Sequence, residues 1–373
     1  MLRRYYQIES LIKKNRVLII YGPRRVGKTT ILTEFLKNTK LKYRLDSGDN
    51  IRVQHILSSQ DFRLIKEYAE GYDLIAIDEA QEIPNIGMGL KILVDQIPGL
   101  YVIATGSSSF NISQNTGEPL TGRKDTITLF PLAQIELAFE YSKFDLKEFL
   151  DEYLIFGSYP DVILAKTKNE KIKILKELVD SYLLKDILAH EHIKGSNVLL
   201  NLLKLLSFQI GNLVSLNELA TQLNIDVKTV NRYLDILQKS FVIHKLNGFS
   251  KNLRNEVTSK SKYYFLDNGI RNAIISQFND FNNRNDFGQL FENFLIIERI
   301  KKHSYQNFYG EHYFWRNYLG KEIDLIEIEN NIINAFEIKT SNKNVYIPQE
   351  FINSYPKTKF EIVKDDNYLQ FIL

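Results

Sequence analysis

The stretch Gly22-Pro-Arg-Arg-Val-Gly-Lys-Thr29 decides how the amino-terminal part of this chain folds. It fits the spacing G-x-x-x-x-G-K-[ST], the pattern of a glycine-rich loop that wraps nucleotide phosphates. An apolar run, Val17–Ile20, precedes the loop, and apolar residues at helical spacing follow it over residues 31–36. The sequence therefore predicts a buried strand, a glycine-rich turn and a helix in that order, which is the context that nucleotide binding requires.

Each residue type in this loop suits the binding of phosphate. Glycines allow the backbone to turn with its N–H groups pointing inward, and the N-terminus of the helix adds partial positive charge. Lys28 is expected to reach the β- and γ-phosphate oxygens, and the Thr29 hydroxyl to ligate Mg²⁺. We therefore predict ATP and Mg²⁺ as cofactors. The predicted nucleotide-binding residues are Gly22, Pro23, Arg24, Arg25, Val26, Gly27, Lys28, Thr29, Thr30 and, farther along the chain, Ser107.

A second buried-strand pattern, Tyr72–Ile77, ends in the adjacent carboxylates Asp78 and Glu79. A carboxylate at a strand tip can bind Mg²⁺ directly or through water, so Asp78 is the predicted metal ligand together with Thr29. Glu79 points elsewhere and is predicted to orient or deprotonate the attacking water. An ordinary strand that ends at a charged turn is the alternative, and the upstream loop favours the hydrolytic interpretation.

A third apolar run, Tyr101–Ala104, ends in small hydroxyl residues. Either Thr105 or Ser107 could sense the γ-phosphate by hydrogen bonding, although such residues also form ordinary turns. Farther on, Arg123 is predicted to stabilise the charge that develops on the γ-phosphate, in its own subunit or in a neighbouring one. The second arrangement would require a homo-oligomer, and the alternative is a surface arginine.

Composition bounds the class of protein. With 373 residues, 44% of them hydrophobic and 25% charged, the chain is expected to form two or three globular domains. No segment approaches the roughly 20 apolar residues of a membrane-spanning helix, and the amino terminus lacks the apolar run of a signal peptide. We therefore expect a cytoplasmic protein with no membrane partner.

Charge and metal-binding residues restrict the function further. The net charge of +3 confines any nucleic-acid surface to a local patch. Cysteine is absent, which excludes disulfides and thiolate metal sites. The six histidines are scattered and only His190 and His192 are close in sequence, so we expect solvated histidines rather than a metal site.

Residues 196–275 have the pattern of a winged helix-turn-helix. Helices are predicted over residues 198–211, from Ser215, and over 227–241, followed by a hairpin that ends at 263–266. In a DNA-binding version, the third helix would enter the major groove and the wing would contact phosphates. A protein-docking module or a rigid lid of an ATPase is the alternative. The candidate DNA-contacting residues are Lys228, Thr229, Asn231 and Arg232 on the helix, and Lys251, Arg254, Lys260 and Lys262 in the wing.

The C-terminal region contains a second set of candidate catalytic residues. Glu337 and Lys339 are two residues apart on a predicted strand and share a face, where Asp324 from the neighbouring strand can join them. This pattern resembles the PD-(D/E)xK nuclease fold. Asp324 and Glu337 would bind Mg²⁺, with Glu292 from the preceding helix as a further ligand, and Lys339 would orient the attacking water or stabilise the phosphate. A plain antiparallel hairpin with alternating Glu and Ile is the alternative.

Taken together, the motifs resemble the prokaryotic AAA-type ATPases of the AAA_14 group, which carry a C-terminal region of unknown function, DUF4143. The resemblance covers almost the full length of the chain, including the Glu-Ile-Asp and Glu-Ile-Lys block near its C-terminal end. It implies ATP hydrolysis and names no pathway. The segments that carry it are Gly22–Thr29, Ile77-Asp-Glu-Ala-Gln81, Ala104-Thr-Gly-Ser-Ser108, Leu120-Thr-Gly-Arg123, Phe156-Gly-Ser-Tyr-Pro160 and Tyr182-Leu-Leu-Lys-Asp186.

We therefore predict an α/β protein in four parts. A P-loop ATPase core, with a parallel sheet between helices, is expected over residues 1–131, and a helical lid or linker over 132–195. A winged helix-turn-helix follows over 196–275, and an α/β nuclease-like domain over 276–373.

Three functions fit this organisation. The favoured hypothesis is a Mg²⁺-dependent ATPase that acts on duplex or branched DNA with low sequence specificity. The second is a STAND-like signalling switch, a slow ATPase that regulates a partner and carries a structural, inactive nuclease-like domain. The third places DNA cleavage at the C-terminal site, with ATP gating it.

Overall fold

The computed structural model describes residues 2–107, 120–180, 196–250, 260–317, 319–340 and 348–373. The chain divides into two compact units, one of residues Arg4–Pro131 and the other of Met1–Arg3 with Leu132–Leu373. Within the described ranges, no helix combines the length and the apolar character that crossing a membrane requires.

The unit Arg4–Pro131 is built on a five-stranded sheet in which every pair of neighbours is parallel, in the order β2-β3-β4-β1-β5. Central strands β1 and β3 are apolar along almost their whole length because neither face meets water. The strands are β1 (Val17–Tyr21), β2 (Tyr43–Ser47), β3 (Leu74–Asp78), β4 (Tyr101–Gly106) and β5 (Lys124–Thr128). The helices are α1 (Ile8–Leu11), α2 (Lys28–Asn38), α3 (Ile51–Ser58), α4 (Phe62–Ala69) and α5 (Ile86–Gln96), with a 3₁₀ turn at Ala80–Glu82.

The predicted α/β fold with a parallel sheet is confirmed in this unit. Strands β1, β3 and β4 run in the same direction, so their carboxyl ends meet at one edge of the sheet. The glycine-rich loop and the two downstream polar strand tips all lie at that edge. The edge of the sheet therefore brings together residues that are far apart in the sequence.

The second unit begins with five helices. The break predicted between residues 157 and 160 is present: Gly157 adopts a left-handed backbone with φ +72°, and an added Cβ there would lie 2.0 Å from the Asp267 carboxylate. Pro160 then opens the next helix. The landmark predicted at 182–186 lies outside the described residues. These helices are α6 (Gln134–Leu137), α7 (Lys143–Glu148), α8 (Leu150–Phe156), α9 (Pro160–Leu164) and α10 (Lys168–Leu178).

A three-helix segment and a hairpin follow, close to the positions predicted from sequence. The Ser215 hydroxyl accepts the Glu218 N–H at the start of one helix, and Asn224, with φ +53°, ends it. The Asp226 carboxylate accepts the Thr229 N–H and so caps the next helix. The elements are α11 (Ser196–Phe208), β6 (Leu213–Val214), α12 (Leu216–Leu223), α13 (Val227–Lys239), β7 (Ile243–Gly248), β8 (Ser261–Phe265) and α14 (Asn268–Ile274).

The C-terminal strands extend the same sheet, which the sequence analysis did not foresee. Strand β7 pairs in parallel with β9, Asn247 opposite Tyr313, so one seven-stranded sheet runs β12-β11-β10-β9-β7-β8-β6. This sheet contains strands from both sides of the predicted domain boundary between residues 275 and 276. The division into two domains at that boundary stays a prediction. The remaining elements are α15 (Phe287–Tyr305), β9 (Glu311–Arg316), β10 (Glu322–Glu329), β11 (Ile332–Ile338), α16 (Gln349–Ser354), β12 (Lys359–Val363) and α17 (Tyr368–Ile372).

Candidate functional site

The loop between β1 and α2 depends on its first glycine. Gly22 has φ +150°, and a Cβ at this position would lie 2.0 Å from the carbonyl oxygen of Leu129. No side chain fits at that distance, so the loop and the segment after β5 approach each other only because residue 22 is glycine. Gly27, at the N-cap of α2, also has a positive φ of +94°. Both glycines of the motif are therefore required by backbone geometry.

Lys28 is buried inside the loop, with only 4% of its surface exposed. Its Nζ donates to the carbonyl oxygens of Gly22 and Pro23, both at 2.9 Å. Burial lowers the pKa of Lys28 to about 8, and the negative charges of Glu79 and Asp78 oppose this shift. The ammonium is thus charged at neutral pH, and its two direct hydrogen bonds go to neutral carbonyl groups.

The two predicted magnesium ligands are in contact. The Thr29 hydroxyl donates to Asp78 Oδ2 at 2.8 Å across 49 residues of sequence. The Thr105 hydroxyl donates to the other Asp78 oxygen and accepts the Glu79 N–H at 3.1 Å. Thr105, one of the two hydroxyl residues considered at this strand tip, therefore contacts both members of the acidic pair. Hydroxyl and carboxylate oxygens together form a donor set that suits Mg²⁺.

Glu79 is held by a residue that the sequence analysis did not single out. Gln81 donates to Glu79 Oε2 at 2.6 Å, while its own Oε1 accepts the N–H of Ser107 at 3.2 Å. Glu79 has a left-handed backbone, φ +48°, at the turn after β3. Gln81 therefore links the predicted base to the tip of the neighbouring strand. Its sequence signal is its place two residues after the acidic pair, at the end of the segment Ile77-Asp-Glu-Ala-Gln81 that carries the resemblance.

Arg4 is a second residue that the sequence analysis missed. It is buried, and it donates to the carbonyl oxygens of Val26 at 2.5 Å and Phe130 at 2.8 Å. It thereby ties the glycine-rich loop to the chain that follows β5. A lone arginine near the start of a sequence carries no periodic or spacing signal, so the pattern could not reveal it.

The other predicted loop residues differ in exposure. Val26 is fully buried and supports the loop from inside. Arg25, which has φ +61°, is exposed together with Thr29 and Thr30, so these side chains face solvent at the loop. Pro23 contributes the carbonyl oxygen that accepts from Lys28.

Arg123 is not placed to act on a nucleotide in its own subunit. It precedes β5 at the level of Val17, the first residue of β1, whereas the loop follows the last residue of β1. These are opposite edges of the sheet, separated by the length of a five-residue strand, roughly 16 Å. Arg123 instead pairs with Asp95 at 2.5 Å. The prediction of a role within the subunit is therefore corrected, and a role in a neighbouring subunit stays a prediction.

In the second unit, the C-terminal residues predicted from sequence come together. Strands β10 and β11 pair with Leu325 opposite Phe336, which places Asp324 beside Glu337. The Ile338 N–H donates to Asp324 Oδ2 at 2.8 Å. Lys339 Nζ lies 2.6 Å from Glu337 Oε1 and 3.7 Å from Asp324 Oδ2. Burial, together with the charge of Asp324, raises the pKa of Glu337 to about 7.

Glu292 belongs to the same cluster, but its contacts differ from those predicted. Its Oε1 accepts from the Tyr264 hydroxyl at 2.7 Å and lies 3.3 Å from Lys262 Nζ. Burial raises its pKa to about 7. Across the described chain, Glu292, Asp324 and Glu337 do not bring one oxygen each within 4.8 Å of one another. The expectation that Glu292 is a direct third metal ligand is corrected: it is a partner of Lys262.

Lys262 also differs from its prediction. It was expected to contact phosphates from an exposed wing, yet it is only 1% exposed and its ammonium lies among carboxylates. Lys260, two residues earlier, is exposed as expected. The predicted wing residues Lys251 and Arg254 lie outside the described part of the chain.

Two histidines nine residues apart meet in the structure, which the sequence analysis did not anticipate. His303 Nδ1 and His312 Nε2 are 2.8 Å apart, with Glu327 nearby. Arg299 donates to both oxygens of Glu327, at 2.7 and 2.9 Å, so that carboxylate is already neutralised. Burial and the charge of Arg299 lower the pKa of His312 to about 4. The expectation of solvated histidines is wrong for this pair, and His190 and His192 lie outside the described residues.

The site in the first unit defines the class of protein to which this chain belongs. A glycine-rich loop enters a helix at the carboxyl edge of a parallel sheet, and its lysine and threonine lie near the acidic tip of a neighbouring strand. This is the P-loop nucleotide-binding fold.

Comparison with family models agrees with this assignment. Residues 14–138 match the model of an AAA domain, AAA_14, and residues 287–370 match a domain of unknown function, DUF4143. Residues 147–281 match another domain of unknown function, DUF8612, which spans the expected boundary at 195 and 196. The chain thus combines an AAA-type P-loop ATPase domain with a DUF4143 region, and the predicted resemblance to these two families is confirmed.

Several curated proteins are similar over most of the chain. A protein of Methanocaldococcus jannaschii is 26% identical, covering 98% of this chain and 83% of its own length. Proteins of Haemophilus influenzae (25% identical, 77% of this chain and 74% of that one) and Mycobacterium tuberculosis (24%, 90% and 73%) also match. All three are described as uncharacterized, so they name no activity.

Solved structures resemble the chain only distantly. A STAND protein with a tetratricopeptide repeat sensor from Pyrococcus horikoshii is 15% identical with a TM-score of 0.28, over 78% of this chain and 44% of that one. The replication initiator DnaA bound to AMPPCP and single-stranded DNA is 16% identical with a TM-score of 0.27, over 61% of this chain and 83% of that one. At these scores the likeness says nothing about what the present chain binds.

Proposed function

We propose that this chain binds ATP with Mg²⁺ and hydrolyses it. The observation that supports this most directly is the contact of Thr29 with Asp78 beside the buried Lys28. Lys28 would move its hydrogen bonds from the carbonyls of Gly22 and Pro23 to phosphate oxygens. Thr29 and Asp78 would hold Mg²⁺, which when bound neutralises charge on the phosphates.

Glu79 is the residue that we assign to the attacking water. Its carboxylate is oriented by Gln81, so one oxygen is fixed by that hydrogen bond and the other can accept from water. Thr105 holds the backbone of Glu79 and the side chain of Asp78 together. The metal ligand and the base would therefore keep a constant separation.

Substitution of Glu79 tests this assignment. Glu79→Gln keeps the shape and length of the side chain but cannot accept a proton. ATP turnover should therefore fall by about 10²–10⁴-fold, while ATP binding persists. Steady-state phosphate release and ATP calorimetry measure the two quantities. The matched control is Glu67→Gln, an exposed glutamate on α4. Normal turnover in Glu79→Gln would show that the base lies elsewhere.

We further propose that residues 196–275 contact DNA through a winged helix-turn-helix, with low sequence specificity. Lys228, Asn231 and Arg232 are exposed at the start of α13, and Lys260 is exposed before β8. These groups favour contacts with phosphates, whose strength falls steeply with salt. The double variant Lys228→Ala/Arg232→Ala should weaken binding to forked and duplex DNA in fluorescence anisotropy. Lys239→Ala, at the other end of α13, is the control, and no binding by the unchanged protein at low salt would refute the proposal.

The carboxylate cluster favours a second candidate function, a metal-dependent nuclease-like site. The buried Glu337 Oε2 has no hydrogen-bond partner among the described residues, which fits a place for a cation. Asp324 and Glu337 would hold a divalent ion that activates water, and Lys339 would orient that water. Plasmid incubated with Mg²⁺ or Mn²⁺ tests cleavage, with Lys339→Ala against the exposed control Lys359→Ala. Equal cutting by both variants would refute this site.

A regulatory switch is the alternative to the DNA-directed ATPase. The burial of Lys262 among the carboxylates favours a structural part for the C-terminal cluster. If the protein is such a switch, it should hydrolyse ATP slowly, in a single turnover. Its oligomeric state, measured by size-exclusion chromatography, should differ between the ADP-bound and the ATP-bound protein. Strong stimulation of ATP turnover by DNA would rule the switch out.

A further inference from the structure

Lys262 is one of the most deeply buried charged residues in the described chain. It lies on β8, where all five residues are buried, and it is 1% exposed. Its ammonium pairs with Glu322, lies 3.3 Å from Glu292 Oε1 and lies 3.9 Å from Asp324 Oδ1. These carboxylates compensate for the loss of water around the buried ammonium. Lys262 is therefore an internal cation of the carboxylate cluster.

The cluster has two sides that share Asp324. On one side, Lys262 lies among Glu292, Glu322 and Asp324 Oδ1. On the other side, Lys339 lies beside Glu337 Oε1 and Asp324 Oδ2. Among the described residues, the buried acceptor of this cluster that is left without a partner is Glu337 Oε2. The open position for a cation is thus at Glu337 Oε2, since Lys262 lies against Glu292 Oε1 and Lys339 lies against Glu337 Oε1.

The balance of charge limits how many metal ions the cluster can hold. Four carboxylates meet three cationic groups, because Glu322 also pairs with Arg316 at 3.0 Å. With all four carboxylates ionised, one negative charge is left in excess. A single divalent ion would leave one positive charge, which one phosphodiester group balances. A second divalent ion would leave three positive charges in a largely buried site, and such an uncompensated charge is costly.

We propose that Lys262 takes the position that a second metal ion would need, so that the cluster holds one divalent ion, at Asp324 and Glu337. This inference rests on the proposed nuclease-like site. In this proposal, β8 also contributes to the site, because it carries Lys262. Lys262 acts on the metal through charge, as a positioning residue, and does not contact the reacting atoms.

Calorimetric titration of Mn²⁺ into the full chain, without nucleotide, tests the proposal. The unchanged protein should bind one equivalent of Mn²⁺ that Asp324→Asn abolishes. Lys262→Met keeps the length of the side chain but removes its charge, so Mn²⁺ should bind at least about tenfold more tightly. The matched control, Lys359→Met, changes an exposed lysine on β12 and should bind Mn²⁺ like the unchanged protein. If Lys262 had only a structural role, removing its charge would not make Mn²⁺ bind more tightly.

Two results would overturn the proposal. The first is that the unchanged protein binds two equivalents of Mn²⁺, or none, at the site that depends on Asp324. The second is that Lys262→Met binds Mn²⁺ with unchanged or weaker affinity. If Lys262→Met does not fold without metal, thermal unfolding is measured over a series of Mn²⁺ concentrations instead. Mn²⁺ should then stabilise Lys262→Met more than it stabilises Lys359→Met. Plasmid cleavage reports separately on the proposed function. A protein that binds one ion and does not cut DNA would refute the nuclease and leave the inference intact.

Discussion

The two candidate sites each contain a buried lysine, and the partners of the two lysines differ. Lys28 donates directly to neutral carbonyl oxygens, and burial lowers its pKa to about 8. Burial also acts to lower the pKa of Lys262, but the nearby carboxylates of Glu292, Asp324 and Glu322 outweigh it, so that pKa lies above its usual value. The charge of Lys28 is therefore available to an anionic ligand, whereas that of Lys262 is already compensated within the protein.

The sites also differ in how the chain assembles them. The nucleotide site is a continuous loop joined by the tips of two parallel strands, so the topology of one sheet positions it. The C-terminal cluster draws Lys262 from a hairpin strand, Glu292 from a helix, and its other members from β10 and β11. Substitution of the charged side chains should therefore act on nucleotide binding in the first site and on stability or metal binding in the second.

The largest expected effect is that of a methyl group at Gly22. Gly22→Ala places a Cβ 2.0 Å from the Leu129 carbonyl oxygen, so we expect a loss of about 2–4 kcal/mol in the free energy of unfolding. Urea denaturation measures it. Gly99→Ala is the control, because Gly99 also has a positive φ, +83°, but has no atom within 4 Å of the added Cβ among those described, and should cost about 1 kcal/mol. Equal losses would show that backbone strain alone, and not the close approach, fixes Gly22.

The next effect is on the affinity for ATP. Lys28→Ala removes a charged hydrogen-bond donor from the phosphate site, and such bonds contribute about 1.5–3 kcal/mol, so ATP affinity should fall by roughly 10–150-fold. Lys37→Ala, at the exposed end of the same helix, should bind ATP normally in calorimetry. If ATP affinity in Lys28→Ala matched that of Lys37→Ala, the contrast drawn between the two lysines would fail.

The pKa of Lys28 predicts a dependence of ATP binding on pH. The phosphates of ATP stabilise the charged form of Lys28, so ATP binding raises the pKa of Lys28. In the protein without ATP this pKa is about 8. At higher pH, binding of ATP therefore requires the uptake of a proton. ATP affinity should therefore fall as pH rises, by roughly tenfold between pH 7 and pH 9. Calorimetry in buffers of different ionisation enthalpy measures the proton uptake. Lys28→Ala should lose this pH slope, and an equal slope in both proteins would assign the titration to another group.

The smallest effect concerns the C-terminal cluster. Tyr264→Phe removes the hydroxyl that donates to Glu292 at 2.7 Å and leaves a buried acceptor with one partner fewer, which should cost about 1–2 kcal/mol of stability. Thermal unfolding measures the loss. The control is Tyr263→Phe, which removes the same group from the neighbouring buried residue of β8. ATP affinity should be unchanged in both variants, and a large fall in either would show that the two sites are not independent.

Much of the nucleotide site was predictable because its residues are consecutive or end neighbouring buried strands. The glycines, Lys28, Thr29 and Asp78 follow from spacing, and the structure brings the last two into contact. Gln81 and Arg4 were missed because each acts through a hydrogen bond that no local pattern encodes. Arg123 was misplaced within its subunit because the sequence did not show that the strand after it pairs in parallel with β1, which puts the start of that strand far from the loop.

The sequence by itself determined the loop, the parallel sheet and the shared face of Glu337 and Lys339, because local spacing and the two-residue period of a strand fix which side chains share a face. Only the tertiary structure decided that β7 pairs with β9 in one continuous sheet, and that Lys262 is buried against Glu292 and Glu322. The physical reason is that strand period defines faces but not partners. Pairing between distant strands depends on register and on the free energy of burying both faces at once.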